Sequence, residues 1–185
     1  MFPHSAEKIC RPSPRARGFT FPEVLAVIVV LGIASAVVLP EVSSTDDSNC
    51  GAAARAVMAD LLYAQNRAIS VQTTQYVSFN ITSQQYGLYS AMSPTPVPLQ
   101  HPVNLDDYVM TFGAAGPNNV SQAVTLTSAN FNGQSTVAFD ETGVPYSYNS
   151  GTLTPLTGPG TIVLQSGNYS LTISVAKDTG DITVN

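Results

Sequence analysis

Residues 15–40 read RARGFTFPEVLAVIVVLGIASAVVLP. A basic flank meets Gly18 and Phe19, and an almost unbroken apolar run follows to Leu39, relieved only by Thr20, Ser35 and one carboxylate, Glu23. As a helix, residues 19–39 would measure about 31 Å, close to the ~30 Å hydrocarbon thickness of a bilayer. Pro22 falls in the first turn, where a missing N–H does little harm, and Pro40 stops or kinks the helix where the apolar run ends. Glycine at 18 has no side chain to keep a protease from the backbone, the basic flank holds the site on the cytoplasmic side, and the apolar run stays attached after a cut. Glu23 is the anomaly. A carboxylate within a spanning helix costs roughly 2.5–3.5 kcal/mol near the centre and less near an end. It therefore requires a partner, and after a cut behind Gly18 the nearest positive group is the new amine of Phe19, on the same chain or a neighbour.

Upstream, residues 1–18 (MFPHSAEKICRPSPRARG) carry four of the seven basic residues, Lys8, Arg11, Arg15 and Arg17, and show no helical or strand period. This is the retention signal expected on the cytoplasmic face of a membrane. Downstream only Arg55, Arg67 and Lys177 face eleven acids, leaving that part of the chain at −8. Such a body repels phosphates, so nucleic acid is an unlikely partner. With 44% hydrophobic and 10% charged residues, the chain is too apolar for disorder and too lightly charged for a typical cytosolic enzyme.

Beyond the apolar run, residues 41–51 (EVSSTDDSNCG) are polar and either continue the helix or interrupt it. From 52 to about 71 an amphipathic helix is expected, with Val57, Leu61, Ala64, Ala68 and Val71 on the face that lies across a sheet. At Thr74 the period changes to two. Val77, Phe79 and Ile81, then Tyr86 and Leu88, predict a hairpin. The Pro-rich stretch 92–107 predicts a surface loop. Further strands are expected at 108–112, 123–131 and 135–139, followed by the turn Asp140-Glu141-Thr142-Gly143. A terminal hairpin sets Leu171, Ile173 and Val175 against Ile182 and Val184 across Lys177-Asp178-Thr179-Gly180.

The chemistry-bearing residues are sparse. Cys10 would leave with residues 1–18, so Cys50 has no disulfide partner and reads as an inert thiol. His4 would leave as well, and His101 alone supports neither a metal site nor ordinary acid–base catalysis. No phosphate loop, Ser/His/Asp set or zinc pattern occurs, and no cofactor is expected. Asp140-Glu141 reads as turn chemistry, Asp46-Asp47 and Asp106-Asp107 as exposed loop acids, and Tyr76, Tyr86 and Tyr89 as hairpin packing. The sequon-like triplets at 80, 119 and 168 are chance matches in a chain rich in Asn, Ser and Thr.

The segment R-A-R-G-F-T-F-P-E-V-L (15–25) resembles the signal of type IV prepilins and type II secretion pseudopilins. Pro22 stands where that family more often has leucine or isoleucine. L-L-Y-A-Q-N-R-A-I (61–69), V-A-F-D-E-T-G-V-P (137–145) and S-V-A-K-D-T-G-D-I-T-V (174–184) resemble GspH/FimT-type minor pseudopilins in their order. The resemblance implies peptidase cleavage between Gly18 and Phe19, N-methylation of Phe19, and a docking role for Glu23 in filament entry. It implies an α+β fold: a long N-terminal hydrophobic helix, then a mostly antiparallel β-sheet domain. The expected divisions are a leader at 1–18, a transmembrane and assembly helix at 19–39, a connector at 40–51 and a periplasmic domain at 52–185. Expected partners are other pseudopilins or pilins, the prepilin peptidase and an inner-membrane assembly platform, with the C-terminal domain in the periplasm. The function implied is structural, as a minor pseudopilin of a type II secretion system. The alternatives are a minor type IV pilin of the FimT kind and, from a different class, a periplasmic binding module released by signal peptidase at Ala34-Ser35-Ala36.

Overall fold

The computed structural model describes residues 19–38 and 45–185. The expected leader with Gly18, and Pro40 with the rest of 39–44, lie outside the described residues. The chain divides into two units, Met1–Val42 and Ser43–Asn185. In the first, α1 spans Phe21–Val38, 18 residues. That is about 27 Å, a little short of a ~30 Å hydrocarbon layer. Among the described residues no helix is long and apolar enough to cross a membrane.

The second unit begins with α2, Thr45–Val71. Residues 45–51, left open between helix and break by the sequence, are helical. Asp46 and Asp47 occupy the first turn, where the helix dipole favours negative charge. Cys50, Ala53, Ala54, Val57, Leu61, Ala64 and Ala68 recur at three- and four-residue steps and are all buried. Val71, expected on that face, is 44% exposed because the helix ends there. Gln72 turns left-handed at φ 52, and the amide of Thr73 donates to the carbonyl of Ala68. This is the Schellman stop, with glutamine in place of the usual glycine.

Twelve strands follow. The larger sheet contains β1 (Gln75–Asn80), β2 (Gln85–Ala91), β3 (Val97–Pro98), β4 (Val109–Phe112), β5 (Asn119–Ser121), β7 (Thr136–Phe139), β8 (Pro145–Asn149) and β9 (Thr152–Pro155). Its order is β5-β4-β2-β1-β7-β8-β9, with β3 also on β2, and only β4 and β5 run parallel. The smaller sheet is antiparallel with order β12-β11-β10-β6, from β6 (Thr125–Asn130), β10 (Gly160–Ser166), β11 (Tyr169–Val175) and β12 (Ile182–Val184). Helix α2 packs on strands of both sheets.

The expected hairpins form. Val77 pairs with Leu88 across β1 and β2, and Val175 pairs with Ile182 across β11 and β12. Val77, Phe79, Ile173 and Val175 are buried, whereas Leu171 is only partly so. Ile81 is a correction: β1 ends at Asn80 and Ile81 is 40% exposed. The Asn80 side chain accepts from the Ser83 amide at 3.1 Å and starts the turn one residue early. The stretch 92–107 is not all loop, since Val97–Pro98 joins β2 and Leu99 is buried.

Strands β8, β9 and β10 carry weaker sequence signals. Ile162, Val163 and Leu164 form a short apolar run without alternation in sequence, although in the sheet Ile162 and Leu164 are buried and Val163 is half-buried. The β8–β9 turn at Ser150-Gly151 has both residues at positive φ, the geometry of a two-residue hairpin.

Candidate assembly segment and its supporting domain

At the start of α1 the carbonyl of Thr20 accepts from the amides of Glu23 at 3.0 Å and Val24 at 3.2 Å. Thr20 is therefore the N-cap and Glu23 the third helical residue. The Glu23 carboxylate reaches back to accept from the Thr20 amide at 3.4 Å, one half of a capping box. The T-x-x-E signature before an apolar run is legible in the sequence and gives Glu23 a capping role beside the expected docking one. Glu23 thus has a partner in its own chain, the N–H of Thr20, in the turn where the dipole favours a carboxylate. Phe19 and Phe21 flank it, 81% and 82% exposed. Glu23 shares one shallow surface of α1 with Ala26, Val27, Val30 and Leu31. Gly18, the third residue of the expected processing site, lies outside the described residues.

In the folded domain the three body motifs meet at one side chain. Gln65, on α2, donates through Nε2 to the carbonyls of Gly143 at 2.9 Å and of Thr179 and Gly180 at 3.3 Å. The helix motif thereby ties the DETG turn to the KDTG turn. Both turns need their glycines: Gly143 has φ +86 and Gly180 φ +67, and a Cβ on Gly180 would sit 2.6 Å from the Gly143 carbonyl oxygen. Asp140 builds the first turn by accepting at Oδ1 from the Thr142 amide and hydroxyl and the Val144 amide. Partial burial pushes its carboxyl up, but the hydrogen bonds from Thr142, Val144 and Gly143 outweigh this and hold it below the usual carboxylate range. Asp140 is a turn-builder, as the sequence suggests.

A second polar centre was not legible in sequence. Asp60, on α2, accepts from the hydroxyls of Tyr86 at 2.6 Å and Tyr108 at 2.8 Å. Burial pushes the Asp60 carboxyl up, opposed by the two hydroxyls and by His101. Burial and the Asp60 charge push both phenols well above their ordinary value, so both remain donors. His101 lies 4.6 Å from the Tyr108 ring, centroid to centroid. Cys50 is a free, buried thiol whose Sγ donates to the Leu164 carbonyl at 3.4 Å, and burial raises it. The hydrogen bonds of Gln65, Asp140 and Asp60 all hold the fold together.

Two family models match the chain. The prokaryotic N-terminal methylation motif covers residues 13–39, and type II transport protein GspH covers residues 53–179. The chain belongs to the GspH family. GspH-family proteins and their pilin relatives are structural subunits, not enzymes, and assemble with other pilin-like subunits. Family members are membrane-anchored, with a periplasmic domain in pseudopili. The fold is similar to that of the minor pseudopilin EpsH from the type 2 secretion system of Vibrio cholerae. The two are 9% identical, with 74% of this chain and 96% of EpsH covered and a TM-score of 0.52. The type IV minor pilin FimU of Pseudomonas aeruginosa also aligns, at 14% identity over 75% of this chain and 90% of FimU, with a TM-score of 0.49. No match was found among curated proteins. With the family established, the α+β expectation of a helix followed by a mostly antiparallel sheet domain holds.

Proposed function

We propose that this GspH-family chain is an H-type minor pseudopilin of a type II secretion system. The observation that carries the reading is the pairing, on one chain, of the methylation motif at 13–39 with the GspH domain at 53–179. Prepilin peptidase cuts after Gly18 and Phe19 is N-methylated. The apolar segment 19–39 anchors the subunit in the inner membrane, with residues 52–185 in the periplasm. The assembly platform then lifts the subunit into a short filament. Glu23 guides that step by exchanging its intrachain contact for the Phe19 amine of an adjacent subunit, so charge matching sets the axial register.

Mass spectrometry of the mature N-terminus tests processing. N-methyl-Phe19 is expected, and a chain beginning at Val37 would instead assign an ordinary signal peptide. A deletion strain tests the machine: loss of type II secretion with surface pili intact is expected, and the reverse pattern would assign the chain to a type IV pilus.

A further inference from the structure

Next to β2 in the larger sheet, on the side away from β1, runs a single strand line interrupted by an insertion. Val97–Pro98 pairs with Tyr89 and Ala91, and Val109–Phe112 pairs with residues 85–87, both antiparallel to β2 on that side. Between them the chain leaves at Leu99 and returns at Tyr108. Both are buried, and the Tyr108 amide donates to the Leu99 carbonyl at 2.7 Å to close the neck. Residues 100–107 add no strand to the β2 ladder and no hydrophobic side chain to the core, and only the His101 ring reaches the buried Tyr108.

The insertion is nevertheless tightly built. The His101 amide donates to the Asp106 carbonyl at 2.8 Å, and the Leu105 amide donates to the His101 carbonyl at 2.9 Å. The Val103 amide donates to His101 Nδ1 at 3.3 Å, and Asn104 Nδ2 ties the tip to Asn118 Oδ1 at 2.8 Å. Leu105 sits at φ +62, a left-handed conformation that a branched side chain adopts only at a cost, although Asn104, a residue suited to it, stands next to it. All this order presents Val103 and Leu105 to solvent, 84% and 68% exposed, on a loop whose next residues are the exposed acids Asp106 and Asp107. A braced loop with an apolar tip is preorganised for binding, because its ordering cost is met before a partner arrives.

We propose that residues 100–107 are a prebuilt plug that inserts Val103 and Leu105 into an apolar pocket rimmed by Lys or Arg on a different pilin-like subunit. Charge argues against a second copy as the partner, since beyond Gly18 this chain has three basic residues against eleven acidic ones and offers few cations to meet the loop's carboxylates. The proposal rests on the filament-subunit reading.

The test places a photo-cross-linking side chain at Val103 of the full-length chain in its host, and the same probe at Ala26 on α1 as a control. The expected Val103 adduct maps, by mass spectrometry, to another pilin-like subunit at a peptide with Lys or Arg beside the cross-linked residue. Leu105→Asn removes the anchor but suits the left-handed backbone. It should cut that adduct about tenfold, the scale of losing one interface anchor, while leaving the thermal midpoint unchanged or raised. Asp106→Lys with Asp107→Lys should lower it as well. Adducts only between copies of this chain, no adduct at Val103, or indifference to Leu105→Asn would overturn the plug if Ala26 still captures pilin-like subunits. Loss at both positions would overturn the filament reading too.

Discussion

At the residue scale the informative groups are two carboxylates with different partners. Glu23 accepts from the Thr20 amide at the start of α1. Its capping role and its proposed docking role separate by substitution. Glu23→Gln keeps an acceptor for the Thr20 amide and removes the charge, whereas Glu23→Leu removes both. Both variants should be cleaved and folded as wild type. Both should enter filaments roughly tenfold less, equivalent to about 1.4 kcal/mol of coupling. Cross-linking to partner pilins measures this, and wild-type incorporation of Glu23→Gln would show that the charge is dispensable.

Asp60 makes a different prediction. Burial raises its folded-state value above the ordinary 3.8. The fold therefore holds this proton more tightly than the unfolded chain does. The resulting stabilisation is complete below 3.8 and is lost as pH rises through the raised folded value. Wild type should gain on Asp60→Asn as pH falls through that window, and urea midpoints in detergent would detect it. A constant difference between the two proteins would show that Asp60 titrates normally. At neutral pH Asp60→Ala should cost about 1–3 kcal/mol, because the buried Tyr86 hydroxyl loses its acceptor.

At the element scale, α2 does more than present an apolar stripe. Gln65 joins two turns that lie far apart in sequence, and their glycines leave the space it occupies. Gln65→Leu keeps the bulk but strands the Gly143 and Gly180 carbonyls at a partly buried site. A loss of about 1–3 kcal/mol is expected, with α2 intact by circular dichroism and faster amide exchange confined to the two turns. Uniform protection across those turns would mean that their own hydrogen bonds suffice.

At the scale of the molecule, Phe131 links the sheets. It follows β6 of the smaller sheet and precedes β7 of the larger one, is fully buried, and stacks on Phe79 with centroids 6.0 Å apart. Gly160, on β10, leaves room for the ring, which an added Cβ would strike. Phe131→Ala should cost about 3–5 kcal/mol and lower the denaturant midpoint in one cooperative transition. Two separated transitions would show that the sheets fold independently.

Much of this was written locally. The G-F-T-x-x-E segment, the three- and four-residue spacing on α2 and the alternation in β1 and β11 each report a single element whose period appears in consecutive residues. Those signals determined the family resemblance, the helix-then-sheet order and the first and last hairpins along the chain. Other features depended on neighbours distant in sequence. Asp60 reads as an ordinary polar position on α2 until Tyr86 and Tyr108 are folded over it. Gln65 has no visible task until residues 143 and 180 arrive beside it. Residues 100–107 are a loop, as the Pro-rich stretch predicts, but the hydrogen bonds within 101–106 and the tie to Asn118 that brace it leave no period in the sequence. The sequence by itself determined the apolar stripe of α2 and the alternating strands of the first and last hairpins, because their period is local, whereas β3 became a strand only by pairing with β2. Only the tertiary structure decided which polar groups share a buried site and which apolar ones stay in water, because burial is a property of the whole packed chain.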